Sequence, residues 1–508
     1  MRKKNVVKSF KYGVIFSILI MLMTFWVRKV FFDTLGTELT GYYLLINQML
    51  GFLNLAELGL GTASTYLLFK PLSDNDNVKL ATTIQAIKKI YSIIQKVIFG
   101  FGILIAALLP FIVKSQIDIY HLYIPWLLFV SSTALSYSYS AESILLTADQ
   151  KVYYIRIING FGRVLCFLLQ IIALKFSFGF ITFSILEVVS VLLQLFVFKK
   201  LIKQNYSFLS NIDTGKLQGI QKKIFSEVKK TFIHKISGVL IFNTDYIIVS
   251  IFLGLAFVTS YSSYVMLLQA MSFLITTLSV PLNSALGHHL QEKGNDATVI
   301  KFMQINSIFM CISSILAFCY YIASSGLIFH WLGKTVVLPQ LTVVLLAINC
   351  FCLIARTSVD IFKVAYGYMS DTHLPILEGG LNLLFSLILV QFLGINGVII
   401  GTIISNICVI MIARPYYLFN KAFKKNNSEF IIHHGSVWFL SALNVFILYI
   451  IFIKCMNFMD AIQKSSFGEF IINCTILGIL SSFIGGLIFI IGSNDFRTFI
   501  KQQLLIRL

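Results

Sequence analysis

Apolar residues form runs of about 20 along most of the chain, and short polar segments separate the runs. A helix needs about 20 apolar residues to cross the hydrocarbon core of a bilayer. The sequence lacks the alternation of polar and apolar residues that is typical of outer-membrane barrels. The pattern therefore predicts an all-α polytopic membrane protein with about 14 transmembrane helices. The predicted spans are residues 12–32, 42–69, 91–113, 122–146, 153–174, 179–198, 232–252, 258–286, 302–328, 338–362, 374–392, 396–419, 437–453 and 467–491.

Composition supports this class of protein. Of the 508 residues, 57% are hydrophobic and 12% are charged, and the mean hydropathy is +0.86. Soluble domains contain about 25% charged residues, so this chain has too little charge to solvate a globular surface of its size. The composition excludes a soluble enzyme, a disordered protein and a fibrous protein. The first apolar run lacks a small-residue cleavage pattern, so we expect it to remain in the mature protein.

The 40 Lys and Arg residues exceed the 21 Asp and Glu residues, and the net charge is +19. In a soluble protein this excess would suggest nucleic-acid binding. Here the positive residues concentrate at the N-terminus, in alternate connections, in the basic segment 201–231 and in the tail. The positive-inside rule then predicts that both termini are cytoplasmic, and that the charges face membrane lipids rather than nucleic acid. The lysines predicted on the opposite face are Lys114, Lys175, Lys334, Lys454 and Lys464.

Two segments resemble each other at an offset of 218 residues, which aligns Leu35 with Leu253 and Tyr43 with Tyr261. Six predicted spans separate the copies, so both copies run in the same direction through the membrane. Parallel repeats of this kind form two lobes around an axis along the membrane normal, with the substrate cavity between them. The predicted organisation is an N-terminal six-helix lobe (1–200), a basic cytoplasmic linker (201–231), a C-terminal six-helix lobe (232–420), and two additional helices with a cytoplasmic tail (421–508).

Several stretches then carry a resemblance to a known family. Residues 35–43 (LGTELTGYY) and 52–61 (FLNLAELGLG) resemble the opening of polysaccharide flippases. These flippases belong to the multidrug/oligosaccharidyl-lipid/polysaccharide exporter superfamily. Residues 243–254 resemble the start of their second lobe, and residues 382–402 resemble their eleventh and twelfth helices. The likeness extends over roughly residues 8–419, and the order and spacing of the stretches carry it.

The resemblance implies a flippase of the O-antigen, capsule or teichoic-acid export type in a bacterial cell membrane. Its substrate would be an undecaprenyl-pyrophosphate-linked oligosaccharide, moved from the inner to the outer leaflet by alternating access for cell-surface polysaccharide synthesis. The expected partners are this substrate, membrane lipids, and a polysaccharide polymerase with glycosyltransferases. No cofactor is expected, although coupling to H⁺ or Na⁺ is possible. The two additional helices fit family members with fourteen crossings.

Positively charged residues within the predicted spans are candidates for a cationic substrate cavity. A charge in the middle of a membrane costs about 3 kcal/mol or more, so each needs a partner, water or a route to the interface. The candidates are Arg28, Lys235, Arg163 and Arg356. The alternative for Arg28 is snorkelling to the outer interface, and for Lys235 a place at the cytoplasmic interface. A partner carboxylate is the alternative for Arg163 and Arg356.

Acidic residues within the spans are candidates for ion coupling or for ion pairs. They are Asp245, Glu57, Glu142, Asp360 and Glu378. Asp360 follows Arg356 by four residues, which predicts a local ion pair on one helical face.

Glu57 precedes Gly59 and Gly61, at a point where a helix can bend. Three tyrosines are candidates for stacking on sugars, with an aromatic belt at the membrane interface as the alternative. They are Tyr42, Tyr43 and Tyr261.

Two other classes of function stay open. A drug or cation antiporter of the same fold would favour an acidic and aromatic cavity, whereas this chain has several positive candidates. A membrane glycosyltransferase or polymerase usually needs a large extracytoplasmic loop, and the sequence predicts only short ones. The chain carries no P-loop pattern and no Cys/His spacing of a metal site. The expected protein is therefore a transporter and not an enzyme.

Overall fold

The structure, a computed structural model, describes residues 2–57, 59–114, 117–210, 244–368, 371, 373–424, 427–456, 458 and 465–505. The described residues form helices and connecting turns, without a strand among them. The helices are α1 (Arg2–Leu53), α2 (Leu60–Ser73), α3 (Asn77–Ile112), α4 (Ile119–Ser136), α5 (Ser140–Ala148), α6 (Val152–Lys175), α7 (Gly179–Asn205), α8 (Thr244–Leu253), α9 (Leu255–Leu332), α10 (Gln340–Ala365), α11 (His373–Leu393), α12 (Ile395–Phe423), α13 (Asn427–Tyr449), α14 (Phe467–Gly492) and α15 (Asn494–Leu505).

The predicted number of crossings is confirmed. Twelve of the described helical stretches are long and apolar enough to cross a membrane. Gly36, with a φ of 79°, divides the first of these into two arms, and α8 is a shorter apolar helix. Counting both arms and α8 gives fourteen segments, and the all-α polytopic membrane class is correct.

The chain divides into two compact units, Met1–Thr259 and Ser260–Leu508. In the first unit, aromatic side chains fill the core, where Phe31 meets Phe180 and Phe183 edge to face. In the second unit, Phe302 packs in the same manner against Phe362 and Phe423. The four-part division predicted from the sequence (1–200, 201–231, 232–420 and 421–508) stays a prediction.

The internal repeat is visible in the structure at two junctions between successive helices. Gly36 and Gly254 are 218 residues apart, and both have a positive φ, of 79° and 91°. Each ends one apolar helix and lets the next begin at once. Glycine suits both positions because residues with a Cβ rarely adopt a positive φ. The two equivalent glycines therefore give both repeat copies the same sharp helix–helix junction.

Two reciprocal contacts follow within the first unit. The hydroxyl of Thr259 donates a hydrogen bond of 2.6 Å to the backbone oxygen of Thr37. A Cβ added to Gly41 would lie 2.1 Å from the backbone oxygen of Leu255. At the 218-residue offset, Thr37 corresponds to Leu255, and Gly41 corresponds to Thr259. Each contact is thus the counterpart of the other at the repeat offset.

The second crossing of the first unit is broken near its middle. After α1 the chain forms one short 3-10 turn, Asn54–Glu57, and Gly59 with a φ of 80° precedes α2. The bend expected at Glu57 is therefore present. The equivalent part of α9 remains helical through Thr277. The non-helical residue of α9 is Gly294, with a φ of 80°, and it corresponds at the offset to Asp76 in the turn between α2 and α3.

The turn that follows α2 leads directly into α3. The carboxylate of Asp76 accepts a 2.9 Å hydrogen bond from the backbone N–H of Lys79 and caps the first turn of α3. Hydrogen bonds from the side chain and backbone of Lys79 hold the pKa of Asp76 below its ordinary value. The cap thus remains charged, which suits the N-terminal end of a helix.

Candidate functional site

Arg28 and Arg163 both lie close enough to Tyr43 for their charges to act on its hydroxyl group. The Tyr43 ring stacks on Phe31 at 5.1 Å and meets Phe183 edge to face at 5.2 Å, so its position is fixed by packing. Arg28 is itself buried, with 9% of its surface exposed. The two arginines and the tyrosine that the sequence singled out are therefore neighbours within the first unit.

Asp245 belongs to the same neighbourhood. It lies at the start of α8, is buried, and adjoins Tyr246. The hydroxyl of Tyr246 interacts electrostatically with both Asp245 and Arg28. An acidic candidate for ion coupling thus lies near a positive candidate for substrate binding. Lys235, the other candidate of this region, lies outside the described residues.

Arg163 is held by a carboxylate from the next helix. Its Nη1 lies 2.7 and 2.6 Å from the two carboxylate oxygens of Glu187, and its guanidinium covers the ring of Phe167 at 4.3 Å. The buried Gln170 donates a further hydrogen bond of 3.2 Å to Glu187. About a third of the Arg163 side chain stays exposed (34%), against 7% for Glu187. Since a guanidinium has five N–H donors, Arg163 keeps donors for a second anionic partner.

The second unit contains a four-residue ionic cluster on three helices. The local pair expected from sequence is present, with Arg356 Nε 3.0 Å from Asp360 Oδ2. Arg414 Nη2 of α12 donates a hydrogen bond of 2.6 Å to Glu378 Oε2 of α11. Arg356 Nη1 lies 3.9 Å from Glu378 Oε1. Arg414 also reaches Asp360 at 3.7 Å. Glu378 and Arg414 are buried, so this ionic cluster ties α10, α11 and α12 together.

Glu142 pairs with a lysine rather than with an arginine. The Nζ of Lys88, on α3, lies 2.9 Å from Glu142 Oε1 on α5. Glu142 is buried, whereas half of the lysine side chain is exposed (49%). Glu142 and Asp360 are 218 residues apart, so each repeat copy places an acid at this position.

A polar cleft opens at the break of the second crossing. Its volume is about 660 Å³, and the side chains of Asn54, Glu57, Thr62, Thr65 and Ser143 contribute to its lining. Two neighbouring tyrosines fix the positions of its polar side chains. The hydroxyl of Tyr91 donates to Glu57 at 3.1 Å, and the hydroxyl of Tyr137 donates to Asn54 at 3.0 Å. The cleft is thus a preformed polar site in a chain that is otherwise largely apolar.

The three tyrosines considered for sugar stacking are all buried. Tyr42 is fully buried, and its hydroxyl donates to the backbone oxygen of Leu122. Tyr43 and Tyr261 are also buried, with 9% and 5% of their surfaces exposed. Sugar stacking by these rings stays a prediction.

Sequence reasoning missed several members of these clusters. Arg414 is not among the candidates from sequence, although it is buried against Glu378. The role of Gln170 and the tyrosine support of the cleft were not foreseen either. Two features of the sequence point to Arg414. It is a single arginine beside a long apolar run, and it lies 36 residues after Glu378, which is itself within an apolar run. Among the described residues, no group of three or more His, Cys, Asp and Glu side chains is arranged to hold a metal ion.

No protein-family model matches the chain, and no curated protein matches it. Solved structures do match. The lipid II flippase MurJ, in an inward closed conformation, has a TM-score of 0.65 at 15% identity, covering 94% of this chain and 99% of MurJ. An inward-facing multidrug resistance MATE transporter of the MOP superfamily has a TM-score of 0.63 at 13% identity, covering 82% and 99%. A mutant of the Vibrio cholerae MATE transporter VcmN gives 0.52 at 14% identity, covering 84% and 98%.

These neighbours are flippases and transporters, and at such low identities the likeness concerns the fold. Together with the apolar helices, it makes this chain a multi-pass membrane protein. The protein has the same fold as these solved MurJ and MATE structures.

Proposed function

We propose that the protein is a flippase for an undecaprenyl-pyrophosphate-linked oligosaccharide. It moves this lipid from the inner to the outer leaflet of a bacterial cell membrane by alternating access, with both termini cytoplasmic. The product supplies cell-surface polysaccharide synthesis, in which a polymerase and glycosyltransferases are its functional partners. The protein acts without a cofactor.

The observation that carries this proposal is the extent of the likeness to MurJ. The match covers 94% of this chain and 99% of MurJ, which is too long to omit both α13 and α14. The two MATE structures are also almost fully covered, but they account for only 82% and 84% of this chain. The overall length of the fold thus favours a protein that handles a lipid-linked substrate.

The charges in the first unit support an anionic headgroup. A pyrophosphate and its sugars cannot enter a hydrocarbon core of about 30 Å without a polar path. Arg28 and Arg163 place two guanidinium groups near one tyrosine inside an apolar unit. Guanidinium groups bind phosphate oxygens through paired N–H donors. The exposed third of Arg163 is the part that would meet the pyrophosphate.

Two sources of energy suit this direction of transport. An inside-negative membrane potential of 100 mV favours outward movement of an anion by about 2.3 kcal/mol per charge. A proton or sodium ion moving inward could add to this through an acidic residue such as Asp245, which is buried near Arg28.

The second candidate function is a cation or drug antiporter of the same fold. Two observations favour it: the TM-score of 0.63 to a MATE transporter, and the acidic residue that lines the polar cleft. An enzyme acting on polyprenyl-linked sugars is less well supported, because the structural neighbours are transporters.

The experiment is a triple substitution in the source cells, Arg28→Gln, Arg163→Gln and Lys235→Gln. We expect surface glycan to be lost and lipid-linked oligosaccharide to accumulate, because the pyrophosphate loses its cationic partners. Membrane levels of the protein should persist, as an immunoblot of the membrane fraction would show. The control is Lys29→Gln, whose side chain is paired with Asp33 at an exposed site. Full glycan display by the triple variant would refute the cationic site.

A further inference from the structure

The polar cleft has the chemistry of a sugar-binding site. Its described lining includes the hydroxyl groups of Thr62, Thr65, Ser140, Ser143 and Thr147, one carboxylate and one amide, and no Lys or Arg. A volume of about 660 Å³ lies within the range of about 300–1,000 Å³ that is common for ligand pockets. The carboxylate would repel a pyrophosphate, whereas sugar hydroxyls can donate to it and accept from the amide.

Two tyrosines hold the polar groups of the cleft in place. Tyr91 and Tyr137 stack at 6.2 Å and donate to Glu57 and Asn54 respectively. A carboxylate can accept about four hydrogen bonds, so Glu57 can accept from a ligand in addition to the protein groups that hold it.

The threonine hydroxyls of the cleft present acceptors. Thr62 donates to the backbone oxygen of Gly59 at 2.9 Å, and Thr65 donates to that of Gly61 at 2.8 Å. Because each hydroxyl has given its one proton to the helix, its oxygen remains able to accept a hydrogen bond. These oxygens therefore match the hydroxyl donors of a sugar.

Two aromatic rings border the cleft. Tyr66 is 70% exposed and Phe69 is 49% exposed, and their ring centroids lie 6.4 Å apart. Exposed aromatic faces next to fixed polar groups provide apolar contact for the C–H faces of a sugar ring, while the hydroxyls bond at its edge.

The fold does not require this cleft. At the 218-residue offset, Asn54 corresponds to Ser272, Glu57 to Ile275 and Gly59 to Thr277. The second copy stays helical at these positions. Only the first copy therefore has a 3-10 turn and an acid within this helix, and such mid-helix interruptions often mark functional positions.

We propose that the cleft binds the sugar part of the lipid-linked substrate, with Glu57 and Asn54 as its polar anchors and the rings of Tyr66 and Phe69 against the sugar face. This assignment rests on the proposed flippase function. Under this assignment two sites bind different parts of the headgroup. The arginines bind the anionic pyrophosphate, and the cleft binds the neutral sugar hydroxyls.

The test compares two ligands on the purified full-length protein. One is undecaprenyl-pyrophosphate-linked oligosaccharide extracted from the source cells, and the other is undecaprenyl pyrophosphate without sugar. Native mass spectrometry gives the dissociation constant of each. We expect the wild type to bind the sugar-bearing lipid about tenfold more tightly, an effect of about 1.4 kcal/mol. Glu57→Gln and Tyr66→Ala should reduce this preference to less than threefold and leave binding of the bare lipid unchanged.

Control variants separate binding from folding. Thr276→Ala removes an exposed hydroxyl that bonds only within α9 and should keep the full preference. Glu57→Asp should restore part of what Glu57→Gln loses, because it keeps the carboxylate. An unchanged preference in Glu57→Gln and Tyr66→Ala would overturn the assignment, and so would an equal loss for both lipids. A wild type that binds neither lipid but binds ethidium through Glu57 would overturn the flippase function as well.

Discussion

The two repeat copies differ most in the middle of their second helices. In the first copy the helix stops at Asn54, resumes at Leu60 and exposes Glu57 to a polar cleft. In the second copy the equivalent stretch, from Ser272 to Thr277, remains helical. Both copies nevertheless keep the same glycine junction before these helices.

This contrast distinguishes a feature that both copies share, the glycine junction, from a feature found in the first copy alone, the broken helix. The broken helix follows from a few residues of local sequence in the first copy. A second contrast lies in the ionic groups. The acid at the shared position is Glu142 in the first copy, which is buried and pairs with the half-exposed Lys88. In the second copy it is Asp360, which is 38% exposed and belongs to the four-residue ionic cluster.

The largest expected effect comes from the second-unit cluster. Glu378→Ala leaves Arg414, which is 8% exposed, without its 2.6 Å partner. Removing one member of a buried ion pair costs about 3–5 kcal/mol, and we expect that loss in the free energy of unfolding.

The comparison variant in the first unit is Glu142→Ala, whose partner Lys88 is half exposed and can return to water. Its expected loss is smaller, because the lysine is not left buried. Unfolding titrations in detergent micelles would measure both variants. Equal losses of unfolding free energy in the two variants would contradict the expectation that a buried arginine partner costs more to leave unpaired than a half-exposed lysine.

A smaller effect is expected at the reciprocal contact. Gly41→Val would place a Cβ 2.1 Å from the backbone oxygen of Leu255, which cannot move without shifting a helix. We expect a loss of about 1–3 kcal/mol and a lower yield of folded protein. The control is Gly100→Ala, where nothing lies within 4 Å of the added Cβ. Wild-type stability of Gly41→Val would contradict the close packing of the two repeat positions.

The smallest effect on stability, and the most informative, concerns the break itself. Gly59→Ala forces a residue with a Cβ into a φ of 80°, at a cost of about 1–2 kcal/mol, or restores a continuous helix. Either outcome disturbs the cleft, so flipping should fall severalfold.

The matched change in the second copy is Thr277→Gly, which should alter stability by less than about 1 kcal/mol and leave flipping unchanged. Flipping rates of both variants in vesicles provide the measurement. A stronger effect of Thr277→Gly than of Gly59→Ala would reverse the comparison.

The parts of this protein that could be predicted from sequence are the local ones. Runs of apolar residues predicted the crossings, the 218-residue offset predicted the repeat, and the spacing of Arg356 and Asp360 predicted their ion pair. Gly59 and Gly61 predicted the bend near Glu57.

The remaining contacts depend on how helices rotate and slide against each other. Arg163 and Glu187 are 24 residues apart, and Arg414 and Glu378 are 36 apart. In each case two helices must first be placed with a particular face and register, and hydropathy alone does not fix either. The polar cleft required several such placements at once, since its lining comes from the turn at 54–57, α2 and α5, and its supporting tyrosines come from α3 and the turn at Tyr137.

The proposed activity is the flipping of a pyrophosphate-linked sugar lipid. The most direct measurement uses purified protein in vesicles that contain the lipid-linked oligosaccharide with a fluorescent label on its sugar. A membrane-impermeant quencher then reports how much label reaches the outer leaflet. We expect quenching of nearly all label with the wild type, about half with empty vesicles, and about half with the triple arginine and lysine variant. Quenching of only half the label with the wild type, in vesicles that expel ethidium against a proton or sodium gradient, would contradict the account.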